Sequence, residues 1–120
     1  MKRLISTVAL ALLAASHTAF AVTDDPNDVY LMGGLALAQV KVCGLQKEAT
    51  ALRQAVVDYY VAHPKIPASK LRAAIRRFDQ FAADEVDRRA AYHPDADSCA
   101  QAAEHAQLLT TTIDGFTLAR

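Results

Sequence analysis

Two His-Pro steps, His63-Pro64 and His93-Pro94, interrupt a chain that otherwise carries the 3.6-residue apolar rhythm of α-helix from residue 28 onward. Proline has no N–H to donate and pushes the residue before it out of the helical region, so each step must end a helix. Gly44 ends or bends another. Four helical segments result. The first runs from an N-cap at Asp28 to about Cys43. The second, about Leu45 to Ala62, places Leu45, Ala49, Leu52, Val56 and Tyr59 on one stripe. The third, about Ala68 to Tyr92, does the same with Leu71, Ile75, Phe78, Ala82 and Val86. The fourth is capped within Asp95 to Ser98, carries Cys99, Ala102, Ala106, Leu109 and Ile113, and meets Asp114-Gly115 as its stop. No run of alternating β-branched residues occurs, so the expected class is all-α: a small four-helix up-down bundle.

Residues 1–21 have another character. Met1-Lys2-Arg3 is a short basic start, Leu4 to Ala15 is almost wholly apolar, and Ala19-Phe20-Ala21 closes with small residues at alternate positions. That is the pattern of a secretory signal peptide cleaved after Ala21. An uncleaved anchor is the alternative, but Ser16, His17 and Thr18 spoil the distal part of a span and Asp24 and Asp25 follow where a basic stop-transfer cluster would stand. The expected layout is a signal peptide at residues 1–21 and a single helical domain at residues 22–120, periplasmic or secreted, with no membrane span in the mature chain.

The mature chain holds 11 basic and 13 acidic side chains, a net charge of about −2 with neutral histidines. Nothing in that balance steers it to nucleic acid or to an anionic membrane surface. Both cysteines lie in the exported part, where an even count reads first as a disulfide. Helix lengths make the pairing testable: the second helix climbs about 27 Å and the third descends about 36 Å, which returns the chain to the end where Cys43 stands and lets Cys99 reach it. A staple suits a core poor in large side chains, since 19 of the 49 hydrophobic residues of the mature chain are alanine. Redox or zinc chemistry would want a C-x-x-C, and there is none.

Other constellations carry little. His93 with Asp95 and Asp97 could supply metal ligands in one turn, but lacks the spacing of a specific site. Ser69 or Ser98 can be joined on paper to a histidine and an aspartate, without the strand and G-x-S-x-G elbow a nucleophile needs. Gly33-Gly34 lacks the lysine and flanking glycine of a phosphate loop. Asp84/Arg88 and Glu85/Arg89 have the i,i+4 spacing of salt-bridged helix faces. Arg72, Arg76 and Arg77 form a small basic cluster, with Asp79 and Asp87 placed to neutralise it. Arg89 continues the apolar stripe of the third helix, which suggests a snorkelling or tail-paired arginine at the bundle end. No catalytic, metal or cofactor site is expected, and the chain is not expected to be an enzyme.

The first helix departs from the ordinary pattern. Val29 to Ala38 contains no charged or amide side chain, and two apolar stripes can be traced: Val29, Met32, Ala36, Val40 and Cys43 on one side, Leu31, Leu35, Ala38 and Val42 on the other. A peripheral helix keeps one wet face. Either this helix is central, wrapped by the others and by the tail residues Phe116 and Leu118, or Leu31, Gly34, Leu35, Ala38 and Val42 form an interface with another protein or a second copy, the glycines admitting close approach.

A short exported helical domain with one bridge resembles, in size and architecture, the small acid-stress chaperones of the bacterial periplasm and the exported immunity proteins that neutralise antibacterial effectors. The expectation is non-catalytic protein–protein binding by an inhibitor or immunity-type partner. The alternatives are a periplasmic acid-stress chaperone whose subunits separate on protonation, and a small-molecule or metal carrier using the bundle interior.

Overall fold

A computed structural model describes residues 21–120; the signal-peptide reading falls almost wholly on residues 1–20, outside the described ones. Four helices follow in chain order, α1 Pro26–Val42, α2 Gln46–Ala62, α3 Ala68–Arg88 and α4 Ala96–Leu118, with no strand among the described residues. The bundle is rhombic. α1 and α2 each touch all three other helices, whereas α3 and α4 do not touch one another, so α1 and α2 form the short diagonal and α3 and α4 lie on opposite flanks.

Local chemistry sets the ends. α1 begins earlier than its apolar pattern: Asp25, not Asp28, is the N-cap, its carboxylate accepting from Asn27 N at 2.8 Å, with Pro26 in the first turn where no N–H is needed. Asp28 instead accepts from the Thr23 backbone N–H and hydroxyl. Gly44 ends α1 with φ +71°, and Leu45 N and Gly44 N donate back to the carbonyls of Val40 and Lys41 at 2.8 and 3.0 Å, the paired closure that a left-handed glycine permits. α3 stops at Arg88, four residues short of Tyr92. The chain leaves the helix in tight turns (Arg89 N to Val86 O, Ala90 N to Asp87 O, Tyr92 N to Arg89 O) before His93 must turn extended ahead of Pro94.

Two features of α4 depart from expectation. Its Asp95 cap accepts from Ser98 N at 2.7 Å as anticipated, but Asp114-Gly115 does not stop it; the helix runs on to Leu118. Burial explains the difference, because Ile113 is fully buried and Phe116 packs 6.3 Å from the Tyr59 ring, so continuing the helix keeps both in the core. The β-branched run Thr110-Thr111-Thr112 stays helical with each hydroxyl donating to the carbonyl four residues back.

The core follows the stripes. Leu52, Val56, Tyr59, Phe78, Ala82, Ala106, Leu109 and Ile113 are buried, joined by Val29, Ala36 and Val40 of α1. Leu37, which belongs to neither traced stripe, is also fully buried. Cys43 and Cys99 are disulfide-bonded with Cα atoms 5.6 Å apart, closing the far end of the bundle. At the opposite end the first described residues meet Arg120. Asp24 accepts from the Tyr59 hydroxyl at 2.8 Å and from the Arg120 guanidinium, which lies 5.8 Å over the Tyr59 ring.

Candidate functional site

The neighbours of α1 divide its surface into faces. Gly33 points to α2, where Val56 Cγ2 would stand 3.2 Å from an added methyl, and to Phe78 at 3.3 Å. Tyr30 and Gly34 face α3: Tyr30 stacks on Phe81 at 4.8 Å, and the Phe81 ring covers Gly34 so closely that a methyl there would overlap ring carbons. Cys43 faces α4 through its bridge. By helical spacing the remaining side holds Leu31, Leu35 and Val42. It lies between α3 and α4, which leave it uncovered because they do not meet.

The five residues expected at an interface therefore separate. Leu31 is 47 % exposed. Leu35 and Val42 are half-buried on the same outward side. Gly34 and Ala38 are buried within the bundle and serve its own packing, so the glycine pair admits the two phenylalanines of α3 rather than a foreign backbone. On the flanking helix α4, Leu108 is 52 % exposed. The outer side of α2 is the ordinary wet kind, with Thr50, Gln54 and Asp58 exposed.

Where this face reaches the disulfide it deepens into a cleft of about 80 Å³, lined among others by Gln39, Val42, Arg89, Tyr92 and Ser98. Ligand pockets run to roughly 300–1,000 Å³, so this is a notch on a surface and not a chamber. Arg89 neither snorkels nor pairs with the tail: its guanidinium donates to Glu85 Oε2 at 2.8 Å and to the Glu85 carbonyl at 2.9 Å, closing the end of α3. Arg88 also reaches Glu85, at 3.2 Å, so the Asp84/Arg88 pair does not form; Asp84 accepts from Gln80 instead.

Electrostatics distinguish the two halves of α3. Between Asp58 and Asp79 the sequence holds Lys65, Lys70, Arg72, Arg76 and Arg77 and no acidic residue. None of these five forms an ion pair among the described residues. Asp79, expected to neutralise them, is held by Arg53 of α2 through two hydrogen bonds of 2.8 and 2.9 Å, and that guanidinium keeps its carboxyl below the usual range. Arg77 lies over the Tyr30 ring at 5.9 Å. The unbroken run of like charge was visible in the sequence and identifies this flank.

Two histidines are sheltered from solvent to different degrees. His63, 5 % exposed, caps α2; its Nδ1 accepts from Lys65 N at 3.1 Å and its Nε2 is 3.8 Å from Asp24. Burial lowers its pKa, the nearby Arg120 adding to the effect and Asp24 opposing it. Burial also lowers that of His105 on α4. Asp95 of the His93 turn is taken up in capping, and no group of three or more metal-ligating side chains occurs among the described residues. Nor is any described helix long and apolar enough to cross a membrane. The chain matches no family model, no curated protein and no solved structure.

Proposed function

We propose that this is an exported, non-catalytic protein-binding domain that engages a partner through the outward side of α1, in the manner of an inhibitor or immunity-type protein. The observation that carries the reading is the uncovered apolar side formed by Leu31, Leu35 and Val42 on a helix that ordinary burial rules would leave wet, with Leu108 also exposed on the flanking helix α4. Export is supported by the apolar leader at residues 1–21 and by the Cys43–Cys99 disulfide, which belongs to an oxidising compartment.

The test is affinity capture from envelope extract with the full chain, tagged at its C-terminus, beside Leu35→Asp and Leu108→Asp variants shown to be folded by circular dichroism. A partner in one-to-one proportion at neutral pH, lost with either variant, supports the reading. A partner retained by both folded variants moves the function elsewhere.

The acid-stress chaperone is the second reading, favoured by the buried His63 and the half-buried His105, whose pKa values burial lowers so that protonation costs folding energy. Protection of a client enzyme from aggregation at acid pH and not at neutral pH would select it. The carrier reading has only the small cleft beside the disulfide in its favour.

A further inference from the structure

The charges flanking the α1 face are arranged so that the face complements itself. Arg77 and Asp84 stand two helical turns apart on the edge of α3 nearest α1, about 10 Å from one another along the axis. Phe81, seated on Gly34, lies between them. Neither forms an ion pair among the described residues: Arg77 rests on Tyr30, and Asp84 accepts only from the neutral Gln80. A foreign acidic partner would satisfy Arg77 and repel Asp84, and a basic one would do the reverse. An antiparallel copy satisfies both.

Resting on the reading of the outward side of α1 as an interface, we propose that a second copy of this chain covers it until a foreign partner displaces that copy. The two-fold axis lies in the plane of the face, perpendicular to α1, and passes between Leu31 and Leu35, level with Phe81 on Gly34. That operation sets α1 antiparallel to its counterpart, places Leu31 and Leu35 against the partner's Leu35 and the partner's Leu31, and turns α3 end for end. Arg77 then faces Asp84 of the partner subunit, and Asp84 faces the partner's Arg77. The contact is isologous and closed, so it yields a dimer and no longer assembly. The uncharged centre and charged edge are the usual anatomy of such an interface.

Sedimentation equilibrium of protein expressed as the full chain and purified oxidised from the envelope fraction tests this. The expected result is twice the monomer mass at neutral pH, weakening with added salt because the edge pairs are solvent-screened. Arg77→Glu and Asp84→Arg should each raise the dimer dissociation constant by about tenfold, and the double variant should restore it, since reversal on both sides rebuilds the pair. Leu35→Asp should give monomer. Wild-type protein that stays monomeric overturns the inference alone; the partner-binding reading survives if affinity capture still loses its partner with Leu35→Asp. A dimer whose strength ignores the single charge variants, or is not restored by the double, overturns this arrangement.

Discussion

Gly34 of α1 lies beneath the ring of Phe81 of α3, with Cδ2 and Cε2 of that ring occupying the space a side chain would need. Aromatic carbons cannot fold aside as a lysine tip can, so Gly34→Ala must push α3 away or force Phe81 off Tyr30. The expected cost is about 1 to 3 kcal/mol, as for other overpacked cores, read as a lowered urea midpoint. Gly115 gives the control: nothing lies within 4 Å of an added methyl there, and it sits inside α4. Gly115→Ala should therefore stabilise the protein by about 0.5 to 1 kcal/mol through helix propensity.

The Cys43–Cys99 bridge joins residues 56 positions apart. Constraining a loop of that length in the unfolded chain stabilises by about 4 kcal/mol in the entropy model. The Cys43→Ala/Cys99→Ala variant should lose roughly that much in chemical denaturation, a large part of the 5 to 15 kcal/mol or so typical of a small domain. A loss below about 1 kcal/mol would mean that helix packing alone holds the two ends together.

The stripes of α2 and the fully buried pair Phe78 and Ala82 of α3 were legible because a single apolar period decided them. α1 was legible only as an excess, since two stripes on one helix do not say which one faces inward. The structure puts Val29, Ala36 and Val40 inside and Leu31 outside, a choice fixed by where α3 lands. That landing depends on a glycine of α1 and a phenylalanine of α3 nearly fifty residues later, a relation with no local signature. Gly115 misled for the opposite reason, a strong local stop signal that the Phe116–Tyr59 contact outweighs. Arg89 had two local readings, and the i,i+4 pair with Glu85 formed in place of the snorkelling or tail pairing that its stripe position suggested.

Acid should weaken the fold through its histidines. His63 and His105 have pKa values lowered in the folded protein, chiefly by burial, while in the unfolded chain they titrate near 6.5. Below about 6.5 the unfolded state binds more protons than the native one, so stability falls as pH drops from there toward the lowered folded values. Asp79, held low by Arg53, adds a second loss that begins only in the ordinary carboxylate range. Asp114 acts in the opposite sense, its carboxyl raised by burial and by Asp58, so its protonation relieves a native-state penalty. Urea midpoints measured between pH 7.5 and 5 should decline, and His63→Gln should flatten that decline. An unchanged slope in this variant would assign the effect to His105.

The junction of Asp24, Tyr59 and Arg120 should be worth more than a surface ion pair. Asp24 accepts from both Tyr59, whose ring is fully buried, and Arg120, while the Arg120 guanidinium covers that ring and faces His63. Hydrogen bonds to a charged acceptor contribute about 1.5 to 3 kcal/mol when one partner is sheltered, against about 0 to 1 kcal/mol for an exposed pair. Tyr59→Phe keeps the ring and removes only the hydroxyl, so its cost isolates the bond to Asp24 and should fall near the lower end of that range. Removing Arg120 withdraws both a counter-charge and a cation beside His63. It should lower stability modestly at neutral pH and, by easing protonation of His63, make the decline below pH 6.5 shallower. Denaturation of the two variants at pH 7.5 and 5.5 separates these effects. If truncation leaves the pH dependence unchanged, burial alone sets the His63 titration.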